Sequence, residues 1–139
     1  MRILMRTQTT ALIKKYYDYF NKRDVAAFLE LLDENIVHDI NQGETEVGKK
    51  AFSNFMDKMN TSYEETVKEL VIMATDDGTR AAAEFFIKGI YKATDSGLPS
   101  AANQSYLLRC GAFFEIKNNK ITRVTNYYNM QNWLKQVKE

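Results

Sequence analysis

The sequence contains few of the residues from which disulfide frameworks and metal centres are built. Its 139 residues include one cysteine, one histidine and one proline. Cys110 has no second cysteine with which to form an intrachain disulfide, and one histidine without clustered cysteines or carboxylates offers no ligand spacing for a metal ion. We therefore expect no metal site, and we expect Cys110 to be a small buried side chain.

The chain also lacks an excess charge and a long apolar run. Nineteen basic and eighteen acidic side chains give a formal net charge of +1, which favours neither nucleic acid nor an anionic membrane. No window approaches about 18 consecutive apolar residues, and the N-terminal run is too short for a secretory signal. No glycine-rich phosphate loop indicates a nucleotide cofactor. These absences predict a cytoplasmic protein with no cofactor, no nucleic-acid partner and no membrane span.

The first part of the chain has the periodicity of helices. Because 45% of the residues are apolar, one core is sufficient and we expect a single domain over residues 1–139. The apolar positions from Leu12 to Phe20 repeat with the spacing of a helix that has one buried face. Asp24 is placed to cap a second helix, and Gly48 opens a third helical segment.

The second part of the chain has the alternation of strands, separated by turns rich in Asp, Asn and Gly. The runs at 80–93 and 104–117 would each exceed about 40 Å as strands, at about 3.3 Å per residue. Such strands must bend over one small core, and Gly89 and Gly111 are the expected bulge or kink positions. The order of elements predicts an α+β fold, with three N-terminal helices packed on a strongly curved, mostly antiparallel sheet that encloses a cone.

The stretch from Ile36 to Gly43 holds the chain's only histidine and an adjacent carboxylate on a predicted strand. Alternate side chains of a strand share a face, so His38 and Asp39 point in opposite directions. A neutral imidazole over an aromatic cavity can act as a general acid or base. Asp39 would be the preferred base if a bulge turned it inward. The alternatives are a hydrogen-bonded core residue for His38 and a solvent-facing cap or ion pair for Asp39.

Four strings distributed along the chain carry a family resemblance. They are Y-Y-D-Y-F-N-K-R-D at 16–24, L-L-D-E-N-I-V-H-D at 31–39, D-S-G-L-P at 95–99 and K-I-T-R-V-T-N-Y-Y-N at 120–129. Together they resemble the SnoaL-like branch of the NTF2-like superfamily, and within it the ketosteroid isomerase-related proteins. The resemblance implies a conical pocket for a small, largely apolar, oxygen-bearing ligand. It also implies a homodimer formed through the outer face of the sheet.

The resemblance does not supply a complete mechanism. Steroid isomerases of this fold use a first-helix tyrosine, an aspartate base and a protonated aspartic acid. Tyr16 matches the tyrosine, whereas Ile40 and Ala112 occupy the two carboxyl positions. Polyketide cyclases of the SnoaL type carry an acid/base aspartate where this chain has Asn129, and an amide does not exchange a proton at neutral pH. Of the mechanism, the resemblance therefore carries over only the pocket and Tyr16.

Residues 120–129 are predicted to form the last strand, and Trp133, Leu134 and Val137 indicate a short closing helix. These two elements supply the candidate ligand-binding residues. By the family's register Asn126 and Tyr128 line the cavity and offer donors to a carbonyl or enolate oxygen. Asn129 follows them, and Trp133 would help to close the mouth of the cone. The alternative is ordinary packing of a polar aromatic wall.

Two classes of function fit this sequence. One is a cofactor-free isomerase, cyclase or hydratase that acts by proton transfer next to a carbonyl, with His38, Asp39 and Tyr16 as candidate catalytic residues. The other is a non-catalytic module for small-molecule binding or dimerisation. A cavity containing an inward carboxylate or imidazole with a perturbed pKa favours the enzyme, and a cavity with only amides, phenols and apolar walls favours binding.

Overall fold

The computed structural model describes residues 2–138, with side chains from residue 5 onward. In chain order the elements are α1 (Arg2–Lys22), α2 (Val25–Glu30), β1 (Leu32–Asp39), β2 (Thr45–Val47), α3 (Lys49–Ser62), β3 (Tyr63–Ala74), β4 (Arg80–Tyr91), β5 (Gln104–Lys117), β6 (Lys120–Tyr128) and α4 (Met130–Val137). The strands form one curved sheet in the order β2-β1-β6-β5-β4-β3. β1 and β6 pair in parallel, and the other neighbours are antiparallel. The predicted α+β class is confirmed, and α4 adds a fourth helix after the sheet.

Two of the predicted helix starts rest on the residues that the sequence indicated. The Asp24 carboxylate accepts a hydrogen bond from the Ala27 backbone N–H at 3.2 Å and so caps α2. Gly48 precedes α3 with φ of 105°, a backbone conformation that is unfavourable for residues other than glycine. The helices cover the face of the sheet that we call the inner face. None of those in the described part of the chain is both long and apolar enough to cross a membrane.

The first strand begins earlier than the sequence predicts. Residues 33–35, D-E-N, have the composition of a turn and predict a strand that starts only at Ile36, but they lie inside β1, which begins at Leu32. The Asp33 carboxylate accepts a hydrogen bond from the Asn35 backbone N–H at 2.9 Å, and pairing with β6 changes register between Leu32 and Val37. The hydrogen bond typical of a turn is therefore present, but it lies at an irregular position within the strand. The following loop contains β2, whose three residues are too few to show a period.

The bulges expected at Gly89 and Gly111 are absent. The ladder between β4 and β5 continues through both residues without a change of register. A register shift lies instead between Lys68 and Val71 of β3, where Glu69 has φ of 53°. A bulge of this kind bends a strand and increases its twist. No glycine occurs in that part of β3, so glycine content alone does not locate the bend.

Gly89 has a different role, which is to admit an aromatic ring. Its cross-strand partner is Tyr106, and a Cβ added at Gly89 would overlap the Tyr106 ring. The Tyr106 ring therefore packs directly on the backbone of Gly89, and its hydroxyl donates a hydrogen bond to Glu65 on β3. A Cβ added at Gly111 would meet only the carbonyl oxygen of Ala83, at an ordinary 3.7 Å.

The difference between the two glycines gives a prediction about stability. Gly89→Ala should decrease the free energy of unfolding by about 1–3 kcal/mol, because the Tyr106 ring must move. Gly111→Ala should change it by less than about 1 kcal/mol, since the site has room and alanine restricts the unfolded chain. Urea denaturation of both variants and the wild type measures these values. Equal losses at the two positions would contradict the assigned role of Gly89.

Candidate active site

A cavity of about 420 Å³ lies between the inner face of the sheet and the helices, within the size range of small-molecule sites. Its walls are mostly apolar or aromatic and include Tyr16, Phe20, Phe28, Phe52, Phe55, Met56, Met59, Val67, Phe85, Ile87, Leu98, Leu108 and Trp133. The polar groups among its lining include His38, Asn41, Lys58, Glu65, Asp95, Cys110, Asn126 and Tyr128. A few polar groups in an apolar wall are the usual composition of a site that orients a ligand.

His38 is an inward-facing residue of β1 and is only 2% exposed. Its ring stacks on Phe52, with centroids 4.2 Å apart, and meets Phe55 edge-on at 4.7 Å. Its Nδ1 is buried without a hydrogen-bond partner among the described residues. Desolvation lowers the pKa of His38 to about 4, although the nearby Asp39 charge acts in the opposite direction. The imidazole is therefore neutral at physiological pH.

Asp39 lies on the opposite face of β1, outside this cavity. Its carboxylate accepts hydrogen bonds from Arg123 at 2.8 and 3.0 Å, from Thr125 at 2.6 Å and from Thr45 at 2.8 Å. The bonds from Arg123 and Thr125 lower its pKa to about 2, against the effect of desolvation. Asp39 therefore forms a structural ion pair with Arg123. The alternative in which Asp39 turns inward and acts as the catalytic base is therefore wrong.

Tyr16 lines the cavity from α1, inside an aromatic cluster. Its ring centroid is 4.4 Å from that of Phe28 and 5.3 Å from that of Phe114. Burial raises the pKa of Tyr16 well above its ordinary value. The neighbouring Tyr17 hydroxyl is buried without a hydrogen-bond partner in the described structure. Both phenols are therefore neutral groups that can donate to a ligand but not remove a proton from it.

The predicted residues of the last strand divide into two groups. Asn126 and Tyr128 line the cavity, and burial raises the pKa of the Tyr128 phenol. Asn129 is not among the lining residues. Its side-chain oxygen accepts a hydrogen bond from the Asn132 backbone N–H at 3.0 Å and so caps α4. The predicted ligand-binding role of Asn129 is replaced by a capping role, because the chain enters a helix at this point.

Trp133 lines the cavity as part of a buried aromatic group, and it is not exposed at an opening. It is 4% exposed, and its ring lies 5.1 Å from that of Tyr91 and 6.0 Å from that of Tyr63. Its indole N–H is near the Tyr106 hydroxyl but lacks the geometry of a hydrogen bond, so it has no partner in the described structure. Trp133 was expected to help close the mouth of the cone, but it lies in the wall of the cavity.

Glu65 is a cavity residue that the sequence analysis missed. Its Oε2 accepts a hydrogen bond from the Tyr106 hydroxyl at 2.6 Å. The side chain is half-buried because it borders the cavity, yet protein atoms surround the carboxyl group. This burial raises the pKa of Glu65, and the Tyr106 hydrogen bond and the Arg23 charge offset only part of the effect. A signal existed in the sequence, since Glu65 alternates with Tyr63 and Val67 on the apolar face of β3.

The remaining polar groups of the cavity are neutral or already paired. Burial and the charge of Glu65 raise the pKa of the Cys110 thiol to about 12, so the thiol is protonated. Asp95 accepts a hydrogen bond from the Tyr63 hydroxyl at 2.9 Å and lies 3.6 Å from the Lys58 amine. In the described part of the chain, no three His, Cys, Asp or Glu side chains are grouped so as to hold a metal ion. His38 and Glu65 are therefore the groups best placed to exchange a proton with a ligand.

The fold is the NTF2-like fold. The structure of an NTF2-like protein from Burkholderia xenovorans superposes with a TM-score of 0.76 and covers 96% of this chain and 98% of that chain. The two sequences are 18% identical, so this similarity concerns the fold alone. A model of the SnoaL-like domain matches residues 13–124. The chain belongs to the SnoaL-like family.

Two solved structures are more similar. A candidate polyketide cyclase from Pseudomonas putida is 53% identical, covers 93% of this chain and 97% of its own, and has a TM-score of 0.92. A candidate polyketide cyclase from Xanthomonas campestris is 47% identical, covers 96% and 99% of the two chains, and has a TM-score of 0.94. No curated protein matches the chain.

The ion pair of Asp39 predicts how stability depends on pH. Because its folded pKa is about 2 and its ordinary value is 3.8, its contribution is present above about pH 4 and is lost as the pH falls toward 2. Asp39→Asn should lower the free energy of unfolding by about 1 kcal/mol near neutrality, a value reduced by solvent screening. The difference from wild type should disappear near pH 2.

Urea denaturation at several pH values measures this difference. Asp57→Asn is the matched control, because Asp57 is exposed on α3, and it should remain within about 0.5 kcal/mol of wild type. A constant difference between Asp39→Asn and wild type from pH 7 to pH 2 would show that the carboxylate does not act through its charge.

Proposed function

We propose that the protein is a cofactor-free enzyme that transfers a proton next to the carbonyl group of a small, largely apolar molecule, as an isomerase, cyclase or hydratase does. The observation that carries this proposal is the presence of a neutral imidazole and a carboxyl group of raised pKa in one apolar cavity. When the surroundings of two titratable groups move their pKa values in opposite directions, one group can act as the acid and the other as the base. The names of the two similar structures support the same class of chemistry.

Glu65 is the acid in this scheme. Burial favours its protonated form, and Tyr106 occupies Oε2 as a hydrogen-bond donor. The protonated carboxyl group donates to the carbonyl oxygen of the substrate. The negative charge that develops on this oxygen as an enolate forms is stabilised in a cavity with little water, where each donor has a larger effect than in solution.

His38 is the base. The neutral imidazole has a free nitrogen lone pair, which removes the proton from the carbon next to the carbonyl group. Its ring is held between Phe52 and Phe55, so its position does not depend on the ligand. In an enolate conjugated with a second double bond, return of this proton to the far carbon gives an isomer. Attack of the enolate carbon on a second carbonyl, whose oxygen takes the proton back from the imidazolium, gives a ring. Asn126 and Tyr16 supply further donors at the wall.

A proton-exchange experiment tests this function without knowledge of the natural substrate. The protein is incubated in D₂O with small ketones such as cyclohexanone and 1-tetralone, and ¹H NMR follows loss of the protons next to the carbonyl. Wild type should accelerate exchange above the buffer rate. Glu65→Gln and His38→Phe should each lower the rate by about 100-fold or more, while Glu64→Gln, at an exposed neighbouring position, should retain it.

The alternative function, binding without turnover, has a distinct outcome. Trp133 is the only tryptophan of the chain and lines the cavity, so its fluorescence reports ligand entry. Saturable quenching by the ketones together with exchange at the buffer rate would assign the cavity to binding alone. A ketosteroid with a Δ5 double bond should not be isomerised, because Ile40 and Ala112 stand where the steroid isomerases carry carboxyl groups.

We also propose that two copies associate through the outer face of the sheet. Four side chains there, Val71, Met73, Phe113 and Tyr127, are each between 53% and 56% exposed. All but Val71 line a groove of about 900 Å³. A monomer would leave this apolar cluster in water. The groove also contains side chains of both charges, including Arg80 and Glu115, and a two-fold axis would place such a surface against itself with opposite charges in contact.

Sedimentation velocity measures this association. Wild type should sediment as a dimer at micromolar concentration, and Phe113→Glu should sediment as a monomer because a buried carboxylate would face the partner's apolar surface. Val47→Glu is the matched control, because Val47 is 62% exposed but lies outside the groove. A monomeric wild type would refute the proposed dimer.

A further inference from the structure

Two buried polar atoms without partners occupy opposed positions on neighbouring strands. His38 Nδ1 and Glu46 Oε1 are both buried, and neither has a hydrogen-bond partner among the described residues. In the antiparallel ladder between β1 and β2, His38 pairs with Glu46. Buried polar atoms in folded proteins almost always have partners, so two such atoms on facing residues require a common explanation.

The register places the two residues on one face of the sheet, although their side chains are not hydrogen-bonded to each other in this structure. Directly opposed residues of an antiparallel pair project to the same face with Cβ atoms about 4.5–5.5 Å apart. The adjacent pair in this ladder shows the effect on the other face, where the Thr45 hydroxyl donates to the Asp39 carboxylate at 2.8 Å. Glu46 is the more buried residue of β2, and its two neighbours are exposed, which agrees with an inward side chain.

We propose that Glu46 is the positioning residue of His38, and that its carboxylate accepts a hydrogen bond from the Nδ1–H of the imidazole. Rotation of the flexible glutamate side chain makes this bond and removes both unpaired atoms at once. The bond fixes the proton on Nδ1, so that Nε2 carries the lone pair. The inference rests on the proposed function, because it completes His38 as the base of that site.

The pairing answers a chemical difficulty of the site. Desolvation by the aromatic wall makes His38 a weak base, and a carboxylate hydrogen-bonded to the other ring nitrogen restores basicity and fixes the tautomer. The same relation of carboxylate to imidazole operates in the catalytic triads of hydrolases. A carboxylate on the neighbouring strand therefore gives the single histidine the fixed partner that the sequence did not reveal.

The other charged groups on β1 and at the start of α3 are paired, exposed or on the opposite face of the sheet. Asp39 faces outward and is held by Arg123. At the start of α3, Lys49 lies 3.4 Å from Glu34, and Lys50 is exposed. On β6 the residue paired with His38 is Val124, which carries no charge. Glu46 is thus the charged residue whose strand position and face match the unpaired Nδ1.

Nuclear magnetic resonance of the single histidine tests the pair directly. In ¹⁵N-labelled protein near pH 7, two-bond ¹H–¹⁵N correlations of His38 distinguish the Nδ1–H tautomer from the Nε2–H tautomer. Wild type should show Nδ1–H. Glu46→Gln should lower the His38 pKa by about one unit or more and increase the fraction of the Nε2–H tautomer. Glu44→Gln is the matched control, because Glu44 is an exposed residue of the same hairpin, and its spectrum should match wild type.

The outcomes separate this inference from the proposed function. An Nε2–H tautomer in wild type overturns the pair, and this result needs no variant to fold. Identical His38 spectra in wild type and Glu46→Gln also overturn it, whether or not ketone exchange is observed. An Nδ1–H tautomer that depends on Glu46, in a protein that exchanges no ketone proton, keeps the pair and refutes the enzyme. If exchange occurs, Glu46→Gln should lower kcat by at least about 10-fold with little change in KM.

Discussion

Apolar and aromatic side chains around the cavity remove water from the few polar groups between them. This desolvation acts in opposite directions on different groups, because it always disfavours the charged form. It lowers the pKa of His38 and raises that of Glu65, of Cys110 and of the tyrosines. The wall thus holds the imidazole, the thiol and the phenols neutral and favours the protonated carboxyl group of Glu65. Desolvation of this kind favours proton transfer that starts from uncharged groups.

Two adjacent residues of strand β1, His38 and Asp39, lie in different environments on opposite faces of the sheet. His38 faces the desolvated cavity, while Asp39 faces a network of hydrogen bonds from Arg123, Thr125 and Thr45 on the outer face. Histidine and aspartate adjacent in sequence suggest a catalytic pair, but the alternation of a strand prevents them from meeting. A carboxylate partner for the imidazole must come from a neighbouring strand at an opposed position, and the ladder places Glu46 there.

The sequence predicted the features that depend on local patterns. The order of helices and long strands, the cap at Asp24 and the opposite faces of His38 and Asp39 all follow from periods and side-chain chemistry. Gly89 was misjudged because a glycine within a strand can mark a bulge or a close approach, and only the position of the Tyr106 ring distinguishes them. The residue after the last strand was placed in the cavity by family register, whereas Asn129 begins a helix.

Features that depend on pairing between distant strands could not be predicted. Glu65 acquires its environment from Tyr106, which lies 41 positions away in the sequence, and from the curvature that brings β3 and β5 to the same cavity. Its place among Tyr63 and Val67 was a detectable sign, since a carboxylate on the apolar side of a strand is unusual. β2 shows no period because it has three residues, so the opposition of Glu46 and His38 appears only once the ladder is formed.

The two outer strands of the sheet also restrict how this protein can assemble. β2 offers only three residues of free edge, and the free edge of β3 is interrupted at Glu69, where the backbone enters the left-handed region and the ladder changes register. Short or bulged edges bearing charged side chains are poor templates for an additional strand. Growth of the sheet into a continuous multi-chain ribbon is thereby discouraged at both ends.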